Sequence, residues 1–194
     1  MIDNIKIIKE ILNFTNEHDF YMIYIIRRKK DQKGIKENKS VKVIKSYCIN
    51  SIIDLEEKYD EIKTLCNIFN ARAYIYINKR NHENIGLMMI KLISDRLMLN
   101  QFNQQFIFDK VFNQSKKLEK RWIIDIDTHD INHDKKIQEF INNKCKPIGM
   151  KIIANIPTKQ GHHLITHPFN LEDFKKEYPT IDIHKDNPTI LYYP

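Results

Sequence analysis

The sequence predicts an α+β fold, in which a mixed and largely antiparallel sheet is flanked by helices. Two observations indicate this class. Runs of β-branched and aromatic residues separated by short polar turns predict hairpins, and segments with apolar residues three and four positions apart predict helices between them. At 194 residues, of which 42% are hydrophobic, the chain is long enough for one well-buried domain and short for two independent ones. We therefore expect a single domain over residues 1–194.

The predicted helices each place their apolar residues on one face. In the first of them, Ile5, Ile8, Ile11 and Leu12 fall on the same side of a 3.6-residue repeat. The predicted helical segments are Ile2–Asn16, Ser51–Phe69, Asn81–Leu99, Gln101–Lys117, Asp134–Lys144 and Leu171–Glu177.

The predicted strands are short apolar runs bounded by polar turns. Phe20–Arg28 and Val41–Ile49 are the two arms of a hairpin, joined by a lysine-rich loop. The remaining predicted strands are Ala71–Ile77, Trp122–Asp127, Lys151–Ile156, a returning strand at Leu164–Ile165, and Ile190–Tyr193. We expect an N-terminal α/β portion over about residues 1–118 and a motif-bearing portion over about residues 119–194.

Two carboxylates stand out in the strand that contains Trp122-Ile-Ile-Asp-Ile-Asp127. Alternate residues of a strand face the same side, so Asp125 and Asp127 project together while Ile124 and Ile126 project to the opposite face. Two neighbouring carboxylates repel each other unless a cation lies between them, and magnesium or manganese prefers such oxygen ligands. The pair is therefore a candidate metal site. The alternative is a solvent-facing strand that happens to carry two acids.

A polar turn, Thr158-Lys-Gln-Gly-His-His163, lies between two of the predicted strands. The chain has only four glycines, and the one at position 161 either supplies a positive φ or allows a phosphate to approach the backbone closely. Lys159, His162 and His163 surround it with hydrogen-bond donors suited to a polyanion.

The order of these motifs resembles that of the archaeo-eukaryotic primase superfamily, which includes primase-polymerases of phages and plasmids. Asp125 and Asp127 match its first motif, and Thr158, Gly161 and His163 match the Ser/Thr-x-x-Gly-x-His second motif. The third motif, an Asp after an apolar residue, corresponds best to Asp182, with Asp186 as the alternative.

The resemblance implies a primase-polymerase catalytic core with an RNA-recognition-like (RRM-like) fold. It implies that Asp125, Asp127 and Asp182 hold divalent magnesium or manganese and that His163 contacts the phosphates of the incoming nucleotide. Together with the donor pattern of the turn, it assigns nucleotide binding to Thr158, Lys159, Gly161 and His163. The implied catalytic set is Asp125, Asp127, His163 and Asp182.

Basic residues flank two of the predicted N-terminal strands. If these strands are neighbours, their ends form one patch with Tyr74 and Tyr76 interleaved, an arrangement that suits single-stranded nucleic acid. The predicted nucleic-acid-binding residues are Arg27, Arg28, Arg72 and Arg80. The alternative is a set of solvated strand ends.

Composition agrees with a polyanionic partner, because 32 basic and 25 acidic residues leave a net charge of +7. The three widely spaced cysteines suit a reducing compartment, and the sequence shows neither a signal-peptide pattern nor a long apolar run. We therefore expect a cytoplasmic protein without membrane association. If a phage carries the gene, this is the cytoplasm of its bacterial host.

The sequence thus predicts a metal-dependent nucleotidyltransferase of primase-polymerase type, acting in phage or plasmid DNA replication or repair. Its expected partners are nucleoside triphosphates, single-stranded DNA or RNA, and a replication protein such as a helicase. Two alternatives are a metal-dependent nuclease and a non-catalytic accessory protein that binds single-stranded nucleic acid with a degenerate primase fold.

Overall fold

The computed structural model describes residues 1–32, 40–101, 103–128 and 130–194. Most of the lysine-rich loop predicted after the first long strand lies outside these ranges. The helices are α1 Ile5–Ile11, α2 Ile52–Phe69, α3 His82–Met98, α4 Gln104–Gln114, α5 Ile131–Asn143 and α6 Leu171–Glu177. The strands are β1 Ile2–Asp3, β2 Asp19–Arg28, β3 Val41–Ile49, β4 Arg72–Tyr76, β5 Arg80–Asn81, β6 Trp122–Ile126, β7 Ile152–Pro157, β8 His162–Thr166, β9 Asp182–His184 and β10 Pro188–Tyr193.

Local capping explains where the long helices begin and end. The Ser51 hydroxyl accepts a hydrogen bond from the Asp54 amide and starts α2, which stops at Asn70 in the left-handed conformation with φ of 44°. The Asn81 side chain caps α3 in the same way. α1 is shorter than predicted, because the amides of Thr15 and Asn16 donate to the Asp19 carboxylate instead of continuing the helix. No helix in the described ranges is long and apolar enough to cross a membrane.

The first sheet has the strand order β1-β10-β4-β2-β3, with β5 also paired to β2, and every pairing is antiparallel. Its residues alternate between two cores. Phe20 and Met22 of β2 pack with Phe112 of α4, whereas Ile23 and Ile25 join the main core with α1 and α2. The sheet is therefore covered by helices on both faces.

The second sheet has the order β7-β8-β6-β9 and is also antiparallel. Its elements follow the chain order β6-α5-β7-β8-α6-β9, which is a split β-α-β arrangement. Ile124 and Leu164 pack on α5 and α6, whereas Ile123 and Ile165 join the main core of the first sheet. The face of β6 that carries Ile123 and Asp125 therefore turns toward the first sheet.

These two antiparallel sheets and their helices confirm the predicted α+β class. The predicted division of the chain into two portions at about residue 118 does not hold for the last strand. Although β10 lies in the second portion, it pairs with β1 and β4 in the first sheet. The sequence pattern also missed β1, β5 and β9, which have two or three residues each and are too short to show an alternation.

A buried polar cluster joins the two sheets. The Asn78 amide exchanges two hydrogen bonds with the backbone of Arg121, just before β6, at 3.0 and 2.7 Å. It also donates to the carbonyl of Lys185, just after β9, at 3.2 Å. Next to it, the Arg80 guanidinium donates to both oxygens of Asp186 at 3.0 and 2.8 Å. These contacts hold β6 and the β9–β10 connection against the first sheet.

Replacement of Arg80 by Met is expected to lower the free energy of unfolding by about 3 kcal/mol, because Arg80 is 1% exposed and its loss deprives the cluster of four hydrogen bonds. Lys117→Met is the matched control: its ammonium lies 3.0 Å from the same Asp186 carboxylate but is 31% exposed, so its loss should cost less than about 1 kcal/mol. Urea unfolding measures both, and equal losses would contradict the assigned role of Arg80.

Candidate active site

A cavity of about 390 Å³ lies between the two sheets and is polar on both sides. Asp125, Asp127 and His163 from the second sheet line one wall. Arg28 and Arg72 from the first sheet line the opposite wall. The cavity therefore brings acidic and basic side chains into one space.

Asp125 occupies the centre of the acidic wall. It lies directly opposite His163 on β8 and directly opposite Asp182 on β9, so all three side chains project from the same face of the sheet. Asp127 follows two residues later, beyond the end of β6, and lines the same cavity. The three carboxylates predicted to act together thus lie near the same end of β6 and line one cavity.

His163 connects the two sheets. Its Nδ1 lies 2.8 Å from the hydroxyl of Thr189 on β10, and its Nε2 lies 3.5 Å from Asp125 Oδ1. Burial lowers the pKa of the imidazole below its ordinary value, against the opposing effect of Asp125. His163 is therefore neutral at pH 7, and one of its ring nitrogens carries a proton that it can donate.

The turn between β7 and β8 is closed by a hydrogen bond from the Thr158 amide to the Gly161 carbonyl at 2.9 Å. A Cβ atom on Gly161 would lie 1.9 Å from the Ile126 carbonyl oxygen and 2.8 Å from the Thr128 nitrogen. Glycine is required because the turn packs directly on the end of β6. Of the described glycines, only Gly149 has a positive φ, so Gly161 does not serve the turn in that way, and the space beside its Cα is filled by backbone rather than open to a phosphate.

Three cations line the cavity. The Arg72 guanidinium pairs with Asp31 at 2.6 Å and lies 4.3 Å from the centre of the Tyr193 ring. Lys159, from the turn, lies 5.7 Å from the same ring. Arg28 donates to the Tyr74 hydroxyl at 3.3 Å. Arg28 and Lys159 thus supply positive charge at the cavity, whereas part of the charge of Arg72 is balanced by Asp31.

Two of the predicted nucleic-acid-binding residues lie elsewhere. Arg80 is buried in its pair with Asp186, so its guanidinium is not presented to a ligand. Arg27 lies opposite Lys42 in the β2–β3 pair and projects to the other side of the strand from Arg28. Asp186, the alternative third carboxylate, is occupied by Arg80 and Lys117, which leaves Asp182 as the partner of Asp125.

A smaller cavity of about 320 Å³ lies beside the first and shares Asp125 and Asp127 with it. Asp182 and His133 also line it. Among the residues that the structure describes, no three His, Cys, Asp or Glu side chains converge closely enough to form a metal-binding group. The acidic wall is thus a row of separate oxygen donors rather than a closed cage.

Sequence reasoning missed two residues, one that contacts two cations of the main cavity and one that lines the main cavity. His184 lines it from β9, two residues after Asp182 and therefore on the same strand face. The alternation Asp182-Ile-His184 carries that signal. Tyr193, whose ring lies between Arg72 and Lys159, is brought there only by the return of β10 to the first sheet.

No family model matches the chain, and no curated protein or solved structure matches it. A function must therefore be inferred from the chemistry of the site.

Replacement of Gly161 by Ala is expected to lower the free energy of unfolding by at least about 2 kcal/mol, because the new methyl group meets backbone atoms of Ile126 and Thr128. The control is Gly86→Ala in α3, where no atom lies within 4 Å and the better helix propensity of alanine should stabilise the protein by about 0.5–1 kcal/mol. Thermal and urea unfolding compare the two. A Gly161→Ala protein as stable as wild type would contradict the close packing of the turn on β6.

Proposed function

We propose that the protein is a metal-dependent nucleotidyltransferase of primase-polymerase type, acting in phage or plasmid DNA replication or repair. The observation that carries the proposal is the cavity in which Asp125 and Asp127 face Arg28 and Arg72. A nucleoside triphosphate with a divalent cation needs both walls, because its phosphates are anionic while the cation requires anionic ligands.

The fold of the second sheet supports the same class. Its β-α-β-β-α-β order and its strand order β7-β8-β6-β9 are those of a ferredoxin-like unit, which is compatible with the RRM-like core that the motif resemblance implies. Asp125 lies on the central strand β6, on the face away from α5 and α6, and Asp127 follows just beyond the end of that strand. This placement agrees with the motif order that resembles the archaeo-eukaryotic primases.

The acidic wall suits magnesium or manganese. Asp125, Asp127 and Asp182 offer carboxylate oxygens, and no lysine or arginine within the described residues is paired with any of them. Magnesium in nucleotide enzymes is commonly bound by one or two protein carboxylates together with substrate phosphates, so a three-residue cage is not required. When bound, the cation would neutralise phosphate charge and favour an ionised 3′-oxygen.

The opposite wall and the turn would position the nucleotide. Lys159 and Arg28 provide charge-assisted donors for the phosphates, and the neutral His163 provides a further donor. In the proposed reaction a strand 3′-oxygen forms a bond to the α-phosphorus, the bond from that phosphorus to the bridging oxygen breaks, and pyrophosphate leaves. Gly161 contributes by holding the turn against β6 rather than by contacting phosphate.

A second candidate is a non-catalytic accessory protein that binds single-stranded nucleic acid. The observation in its favour is that the described part of the chain has no group of three converging metal ligands. Such a protein would bind single strands in a salt-sensitive manner that is indifferent to divalent metal and to replacement of Asp127.

Replacement of Asp127 or Asp125 by Asn is expected to reduce nucleotide incorporation at least about a thousandfold, because each change removes an anionic oxygen ligand. Purified protein is incubated with single-stranded template, labelled nucleoside triphosphates, and magnesium or manganese. The matched control is Asp60→Asn. The Asp60 carboxylate is 91% exposed on α2, so this substitution should leave incorporation unchanged.

Three outcomes of this experiment overturn the proposal. Incorporation by a folded Asp127→Asn variant excludes the carboxylate role. Metal-dependent shortening of a labelled oligonucleotide, in place of its lengthening, indicates the nuclease. Strand binding without any incorporation, unaffected by metal and by Asp127→Asn, indicates the accessory protein.

Replacement of Lys159 by Gln is expected to raise the KM for the nucleoside triphosphate about tenfold through loss of a charge-assisted phosphate contact, with a smaller effect on kcat. Lys176→Gln, an exposed lysine in the last turn of α6, is the control for the lost charge. Steady-state kinetics at saturating template measures both constants. Equal KM values for the two variants would remove Lys159 from the nucleotide site.

A further inference from the structure

A third cavity, of about 550 Å³, continues from the main cavity of the candidate active site along the first sheet. Pro188 lines both cavities. In the pairing of β10 with β4, Pro188 lies opposite Tyr76 and Ile190 lies opposite Tyr74. The two cavities therefore adjoin each other on the first sheet. We name the third cavity the tyrosine cavity; its lining includes Tyr24, Val43, Ser46, Tyr76, Asp109 and Asn113.

Aromatic and polar side chains line the tyrosine cavity together. The Tyr24 and Tyr76 rings meet edge to face, with their centres 6.0 Å apart. Ser46 and Asn113 add groups that both donate and accept hydrogen bonds. The lining also includes the Asp109 carboxylate, which repels phosphate, and Lys45, whose ammonium is paired with Glu61 at 2.5 Å. This combination suits the face and edge of a nucleobase better than a phosphate.

The mouth of the tyrosine cavity is open. Val43 at its rim is 50% exposed, and Val41, further along β3, is 43% exposed. On the neighbouring strand Arg28 lies opposite Val41 and reaches the candidate active site. Single strands are bound where aromatic side chains for the bases adjoin positive charge for the phosphates, and here the cavity of Tyr24 and Tyr76 adjoins the one that Arg28 lines.

We infer that the tyrosine cavity binds an unpaired nucleobase of the single strand whose backbone passes Arg28 into the candidate active site. The inference rests on the proposed function, because that function supplies the strand. It adds a base-binding subsite that the sequence motifs do not include, and it assigns Asn113 to hydrogen bonding with the base edge.

The test measures binding of a short fluorescein-labelled single-stranded DNA at one fixed low salt concentration, without metal or nucleotide. Val43→Glu places a negative charge at the cavity mouth and should weaken binding about tenfold. The matched control is Ile68→Glu, because Ile68 is an exposed apolar residue of α2 that does not line the cavity. This control should stay within about twofold of wild type.

An uncharged variant tests for the base itself. Asn113→Leu should weaken binding about fivefold for DNA that carries bases and leave binding of an abasic strand of the same length unchanged. Gln114→Leu is its control, since Gln114 is the next residue of α4, is also exposed and does not line the cavity. Circular dichroism and thermal unfolding establish that all four variants are folded.

The inference is overturned if Val43→Glu and Asn113→Leu bind like their controls, or if wild type binds abasic and base-carrying DNA equally. It is also overturned if wild type binds neither. Because this assay contains no metal or nucleotide, its result is independent of incorporation. If wild type incorporates nucleotides and the cavity variants bind DNA like their controls, only the role of the tyrosine cavity is excluded. If the cavity variants lose base-dependent binding and wild type incorporates no nucleotide, only the proposed reaction is excluded.

Discussion

The buried contacts of Asn78 and Arg80 with the second sheet determine the geometry of the site. The two walls of the main cavity belong to different sheets, so the distance between acids and cations depends on how the sheets are held together. The Asn78 amide fixes the backbone at one end of the β6–β9 pair, at Arg121 just before β6 and at Lys185 just after β9. Arg80 holds Asp186 in the connection to β10. Polar groups buried in this way are costly unless all are paired, which favours one relative position of the sheets.

Because each sheet supplies one wall of the main cavity, acidic and basic side chains lie on opposite sides of it. Asp125 is flanked by His163 and Asp182 through strand register alone. Arg28 and Arg72 reach the cavity from β2 and β4, and Tyr193 of β10 contacts Arg72. The hydrogen bond between His163 and Thr189 joins the histidine of the acidic wall to the strand that also carries Tyr193. The lowered pKa of His163 has the same origin, since the contact between the sheets is what buries the ring. The site is thus a property of the interface between two sheets.

Much of the secondary structure could be predicted because it depends on local pattern. Ser51 and Asn81 cap the helices that were predicted to begin there, and β3 has the predicted bounds Val41–Ile49. The errors have physical causes as well. The predicted first helix was too long because Asp19 captures the amides of Thr15 and Asn16, and Arg80 was placed on a binding surface because a basic residue beside a turn gives no sign of burial. Long-range partners decide both cases.

The sequence by itself determined the α+β class, the shared face of Asp125 and Asp127, and the turn that carries Lys159 and Gly161, because these follow from the two-residue and 3.6-residue repeats and from the rarity of glycine. The tertiary structure decided which residues meet. It placed Asp182 rather than Asp186 beside Asp125, added His184 to the cavity, brought Tyr193 against Arg72, and showed that Gly161 accommodates the backbone of β6. Strand order and register bring together positions far apart in the chain, and no local repeat in the sequence specifies them.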